Sequence, residues 1–530
     1  MKSLLYISCL LNIIFSIDYN YSLESKYGDS DVVKFSEHIL DINTTFDNGL
    51  YINTQFEYSD PPLFGNRVTG MNSGYLDYYS DRFQLIAGNI QTLYGRGLSI
   101  NTFQDHTIDF DNRINGIDFK YFLNDNLTIL ATIGNAKFDY RQTPADQIAN
   151  YSMKFDYIFI NAMEYMNDKL GNFHILYLQN KISSLGSNFS DFEYLDYSSI
   201  NSEYNISWNK YFDLFEVYFE YSVMNYKIND IFKFSNILGQ DSSGYRIYFT
   251  LNTSLYDIGL TYEYKDYLHP GYIAPFASPP IVYRESTSIL ASRNAHSINF
   301  QDEVGHQLDA NYSLNEHLNF NANLSLAYRN SYDNDLMESL TFNRNDIGDI
   351  GSFRQWYLEA NGWCFNEKLF YKVGIDNFNE INSYGKYINA MTIPLLFTIN
   401  INTNNSLNMY LEYQNKSTSE YPNELLTIQD NSTLKYISLT YSLFSKLSLS
   451  YFYDLETQWY EYIFSGADNT MTPKIDSDWI GYEVGFNINP TNQISVFYGS
   501  QKGGLVCANG ICAQQPDFSD GIKVTFRSLF

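Results

Sequence analysis

The groups able to do chemistry are sparse and scattered along the chain. Asp105 and His106 form an adjacent acid and base, a combination that moves protons when both side chains reach one substrate. Neighbours on an extended chain point to opposite faces, so this pair reads as a loop dipeptide. The sequence holds no His-Glu-x-x-His, no Gly-x-Ser-x-Gly, no phosphate-binding loop and no dinucleotide fingerprint. Its 7 histidines lie apart, none at ligand spacing from a cysteine. These features predict no enzyme, no metal and no cofactor. Cys507 and Cys512, in Cys-Ala-Asn-Gly-Ile-Cys, suit a loop disulfide if the chain is exported, and Cys364 has no evident partner.

A second kind of chemistry, selection by charge, has better candidates. Arg96 stands between Gly95 and Gly97, in a stretch near 89–113 that also carries Asp105, Asp109 and Asp111. A second stretch, near 268–303, concentrates Pro270, Pro275, Pro279 and Pro280, with Arg284 and Arg293 behind them. Over the whole chain 60 acids oppose 33 bases, a net charge of −27 that repels nucleic acid and favours cations. These six charged residues are the candidates for a pore constriction.

The elements that must position them follow a period of two. From His317 to Arg329 one face carries Leu318, Phe320, Ala322, Leu324, Leu326 and Tyr328, and the other Asn319, Asn321, Asn323, Ser325 and Arg329. Leu407, Met409, Leu411 and Tyr413 likewise alternate with Asn408, Glu412 and Gln414. Such alternation marks a strand between two unlike environments. Connections at Asn124 to Asn126, Asn315-Glu316, Asn402 to Asn405 and Asn489 to Asn492 are short and rich in turn formers. They alternate with longer polar stretches at 141–150, 331–350, 416–431, 457–477 and 501–518. Short turns alternating with long loops are the layout of an outer-membrane barrel.

Reading the segments in order predicts a transmembrane antiparallel β-barrel of about 24 strands, or 22 if one weak hairpin is lost. Aromatics near strand ends, among them Tyr51, Tyr58, Phe119, Tyr121, Trp208, Tyr211, Trp356, Tyr357, Tyr451 and Tyr453, suit interfacial girdles. Residues 1–16 read as a signal peptide: Lys2, then an apolar run from Leu4 to Phe15 that is too short to span a bilayer. The barrel then occupies 17–530, in the cell outer membrane. The last strand sets Ile522, Val524 and Phe526 on one face and ends at Phe530, with Ser528 where an apolar residue is usual. This ending resembles the signal read by the barrel assembly machinery, an expected partner alongside outer-membrane lipid.

The N-terminal third carries further landmarks. Tyr21-Ser22-Leu23-Glu24-Ser25, Pro61-Pro62-Leu63-Phe64-Gly65, Tyr75-Leu76-Asp77-Tyr78, Ile86-Ala87-Gly88-Asn89, Tyr94 to Leu98 and Asn112 to Gly116 with Asp118 resemble a family of uncharacterised outer-membrane β-barrels of Bacteroidota and related phyla, known as a domain of unknown function. The likeness covers roughly residues 20 to 135 and implies a fold and a location but no activity. Two functions compete. One is a porin-like channel or facilitator for small polar solutes with cation preference, its lumen lined by the polar strand faces. The other is a non-conducting barrel in an export or surface-anchoring assembly.

Overall fold

A computed structural model describes residues 17–65, 67–140, 151–187, 198–229, 242–269, 276–296, 298–315, 317–330, 336, 350–382, 385–420, 426–464, 470–508 and 511–530. The expected signal peptide and the expected loop 141–150 lie outside these residues, as does nearly all of 331–350.

Twenty-four antiparallel strands form a closed sheet, each hydrogen-bonded to its sequence neighbour in the wall. The seam is the pairing of the first strand, Ile17–Asp29, with the last, Phe518–Leu529, in the register Glu24 to Arg527 and Ser25 to Phe526. An even strand number brings both termini to the short-turn end, which in such barrels is the periplasmic one. Several turns share one device. Asn124, Asn315, Asn402 and Asn489 each accept, through Oδ1, the backbone N–H two residues on. A short amide side chain mimics the missing backbone carbonyl, which is why asparagine recurs where the chain must reverse tightly.

The outward face carries a belt of exposed apolar side chains, including Ile117, Ile133, Leu449, Val484 and Phe486. Water would make such a belt costly and lipid makes it favourable, so the molecule is an outer-membrane barrel. The belt has a sharp upper border. On the strand Asn405–Ser419 the outward series Leu407, Met409, Leu411, Tyr413 gives way to Asn415. Asn415 accepts from Thr433 at 3.2 Å, and Thr457 donates to Asp476 at 2.6 Å, so a polar row crosses adjacent strands at one height.

Two expectations need correction here. The stretches 416–431 and 457–477 are mostly strand: Leu426–Leu443 and Leu447–Phe464 each run 18 residues. Above the belt both faces meet water, so the alternation that reveals a strand fades while the hydrogen-bonded ladder continues. Neither Tyr51 nor Tyr357 belongs to a girdle. Tyr51 donates to Asn43 at 2.6 Å, and Tyr357 donates to Glu359, both on the inner face. Trp356 and Tyr357 are adjacent, and the pleat lets only one of them face lipid.

Candidate functional site

Two long connections leave the wall and, over their described residues, lie inside the barrel. The first, 91–113, joins Phe83–Ile90 to Ile114–Asn124 and folds into two small ladders, Thr92–Tyr94 with Ile100–Thr102 and Gln104–Asp105 with Phe110–Asp111. Its bend is Gly95-Arg96-Gly97. Both glycines take positive φ, +60° and +84°, and a Cβ on Gly95 would stand 2.6 Å from a Glu220 carboxylate oxygen. Only glycine combines that conformation with that approach. The approach lets the Arg96 N–H donate to Glu220 at 2.7 Å. Ser99 donates to Glu203 at 2.5 Å, and the buried Arg246 donates to the Leu98 carbonyl.

The other side of this loop is apolar. Tyr94 and Ile100 pack with Ile90, Ile114, Leu130, Ile158, Ile160, Leu176 and Leu178, all buried. Several of these wall residues point inward, so the expected wet, polar inner face fails over the strands from Leu127 to Ser187. There the inner face is a dry core because a loop covers it. Further along the loop, His106 reaches Gln55 at 3.2 Å, and burial lowers the pKa of its imidazole.

The second connection, 269–301, is anchored at its start to the first. Phe276 is buried in the same apolar cluster, Asn101 N–H donates to the Phe276 carbonyl at 2.6 Å, and Ser278 N–H donates to the Gly97 carbonyl at 3.2 Å. From Arg284 onward the attachment is mainly ionic. Arg284 lies 3.5 Å from Asp376 with its guanidinium 3.4 Å over the Tyr357 ring. Arg293 meets Asp454 at 2.5 Å. Between them a single helical turn, Ile289–Ser292, is clamped by the wall. Glu412 accepts the N–H groups of Ile289 and Leu290, both at 2.6 Å, and Gln414 donates to the Leu290 carbonyl at 3.0 Å.

His296 is held from two sides, Nδ1 at 2.8 Å from Glu380 and Nε2 at 3.2 Å from Glu303. Burial alone lowers an imidazole pKa, but the two carboxylates outweigh it, so His296 is raised above its ordinary value. Glu303 itself, fully buried, also receives Lys265 at 2.6 Å and Arg329 at 2.8 Å.

Other inner-wall carboxylates are satisfied by neutral groups. Asp41 accepts from Gln55 at 2.8 Å, Glu57 from Ser59 and Asn72, Asp77 from Gln84, Glu216 from Asn209 and Asn252, and Asp309 from Gln307. The interior is thus a partition of two loops above a polar vestibule at the short-turn end.

The candidates from sequence fall in different places. Arg96 is exposed, its guanidinium 5.2 Å over the Tyr218 ring. Asp105 accepts from Thr107, two residues on, and Asp111 is held by Arg113 at 2.7 Å. Asp109 takes a positive φ of 50°. Arg284 and Arg293 lie on the wall contacts just described; Asp105, Asp109 and Asp111 line one cavity, and among the described residues no contact joins them to Arg96, Arg284 or Arg293. Val524 and Phe526 lie on the closing strand, while Phe530 pairs both backbone groups with Tyr21 and sets its ring, tilted by 33°, 5.2 Å from that of Tyr21. Ser528 fills its apolar-face position by bonding Asn492. Cys507 and Cys512 stand directly opposite each other in the ladder of Gly504–Ala508 with Ile511–Gln515.

The residues missed from sequence are the wall partners: Glu203, Glu220, Arg246, Lys265, Glu303, Asp376, Glu380 and Asp454. For all but Glu303 and Glu380, which lie next to strand ends, a signal existed in ionisable residues at mid-strand on the polar face. The dry sector was signalled too, by segments apolar on both faces such as Ile158-Phe159-Ile160 and Ile175 to Leu178.

Among solved structures the chain is similar to the siderophore receptor PirA from Pseudomonas aeruginosa, at 9% identity and a TM-score of 0.41, covering 97% of this chain and 80% of that one. PirA from Acinetobacter baumannii gives 10% and 0.43 with 97% and 80% covered, and the unliganded ferric citrate transporter FecA gives 11% and 0.45 with 97% and 79%. No curated protein matches the chain. Residues 33–530, nearly the whole wall with both inward loops, match the Family of unknown function (DUF6029), and the chain belongs to that family.

Proposed function

We propose that the protein is a channel or facilitator that passes small polar solutes across the outer membrane with a preference for cations. The observation that carries this reading is the set of inner-wall carboxylates, Asp41, Glu57, Asp77, Glu216 and Asp309, whose hydrogen-bond donors are neutral. Fixed negative charge inside a low-dielectric wall concentrates cations along a lumen.

The competing reading, a non-conducting scaffold for an export or surface-anchoring assembly, is favoured by a different observation: Tyr94, Leu98 and Ile100 fill part of the interior with apolar side chains. Purified barrel in a planar bilayer separates the two. Stepwise conductance with a reversal potential of cation-selective sign, weakening toward about 1 M salt where the Debye length falls to roughly 3 Å, supports the first. A silent barrel, or anion selectivity, overturns it.

A further inference from the structure

The two loops share the wall unequally. Hydrogen bonds, ion pairs and ring contacts of 91–113 fall on strands from Leu50–Ser59, through Gln55, round to Ser242–Leu255, through Arg246. Those of 269–301 continue from Ile258–Leu268, through Lys265, to Leu447–Phe464, through Asp454, while Phe276 crosses back to Phe155 and His269 to Arg246 and the Tyr226 ring. Among the described residues, no such contact from either loop reaches the inner faces of Ile475–Asn489, Asn492–Gln501, Phe518–Leu529, Ile17–Asp29 or Lys34–Phe46. Five adjacent strands, with the seam among them, are left free by these two loops, although at their outer end Phe35, Phe497 and Phe518 pack together with Leu63 of the short connection before Val68–Tyr79.

A cavity of about 780 Å³ lies in this same sector. Its wall includes Glu24, Asp41, Gln493 and Arg527, the turns at Lys446 and Asn489 border it, and His106 at the end of loop 91–113 lines it from the interior side. The volume is in the range that holds a drug-sized ligand, about 300–1,000 Å³.

We infer that solutes pass along this seam sector, between His106 and the closing strands, and that the cavity is their binding site at the periplasmic mouth. The inference rests on the transport reading above and deepens it. The chemistry of the lining sets the solute class. Glu24 is paired with Lys26 at 3.4 Å and Arg527 at 2.9 Å, and Lys446 on the bordering turn balances Asp41, which leaves amides and hydroxyls as the recognition groups. Such a site takes small uncharged hydrogen-bonding solutes and gives a dianion no net attraction.

Cysteine accessibility in the full barrel tests the route. In a background freed of its native cysteines, Gln493→Cys and Thr525→Cys face the seam sector, while Asn311→Cys and Asn321→Cys face the lumen across the barrel. After treatment with a membrane-impermeant anionic methanethiosulfonate, the seam variants should lose half or more of their single-channel conductance and the distant pair less than a tenth. Liposome swelling should admit a neutral polyol several times faster than a dicarboxylate of equal size, and modified Gln493→Cys should abolish the polyol influx. Equal block at all four positions, block only at the distant pair, or faster dicarboxylate entry overturns the seam route or its solute class and leaves transport standing. A parent barrel silent in both assays removes the transport reading and this inference together.

Discussion

Replacing Glu303 by glutamine is the sharpest test of how the second loop is held. The carboxylate is fully buried and receives Lys265 at 2.6 Å, Arg329 at 2.8 Å, His296 at 3.2 Å and the Asn299 N–H at 2.9 Å. Glutamine keeps the shape and removes the charge. Lys265 then keeps the Ile281 carbonyl and a ring contact with Tyr267 at 5.7 Å, and Arg329 keeps the Asp302 carbonyl. Two buried cations facing mainly neutral acceptors should cost about 3–5 kcal/mol, the usual loss when one partner of a buried pair is removed. Urea unfolding of the barrel in detergent, followed by heat-shifted gel mobility, measures the loss. Adding Lys265→Met should restore part of it, because a missing pair costs less than a stranded charge. A loss below about 1 kcal/mol, or a double variant weaker than the single one, would refute the reasoning.

Leu324→Arg should cost roughly 2–4 kcal/mol on the lipid face, whereas Asn321→Arg, on the inner face at the wet end, should be tolerated; equal losses would show that the two faces are misassigned. The partner for that comparison is Asn321 and not Asn323, because Asn323 is buried and accepts from Ser325 under the second loop. Deleting Phe530 removes two backbone pairings and a ring contact with Tyr21, and should reduce folded protein in the membrane more than Phe526→Leu does, as read by the heat-shifted band. For His296 the folded-state pKa is raised, so its contribution is complete below the unfolded value of about 6.5 and is lost as pH rises through the folded value. Protease cleavage after Arg293 should therefore accelerate on the alkaline side, and His296→Asn should abolish the pH dependence.

The wall was legible in the amino-acid order and the interior only partly so. Each of the twenty-four strands expected from alternation is present, and asparagine turns mark the short end, because a lipid face and a polar face impose period two directly on the sequence. The strand ends above the belt were not legible, since Thr433 and Thr457 meet water as their neighbours do. Inside, Gly95 and Gly97 were readable as a bend, because backbone conformation is local. Their partners Glu220 and Ser278 were not, since contacts 124 residues apart, as between Arg96 and Glu220, leave no periodic trace. Arg284 and Arg293 were found as isolated bases, but Asp376 and Asp454 sat among polar residues whose inward orientation gave no sign of what they hold.

The 18-residue strand Leu447–Phe464 has a consequence for the surroundings of the outer mouth. Thr457 lies in the polar row at the upper edge of the apolar belt, and 7 residues continue above it to Phe464. At a rise of about 3.3 Å per residue and a tilt of about 40°, they lift the rim roughly 18 Å above the belt. A headgroup layer of about 5–7 Å lies above the belt and the Debye length in physiological salt is about 8 Å, so the rim stands roughly one and a half screening lengths clear of the lipid surface. An approaching ion there responds to the protein's own rim, where Asp430 and Glu461 stand, and little to lipid headgroups. Ion selectivity should then be nearly the same in neutral and in anionic bilayers.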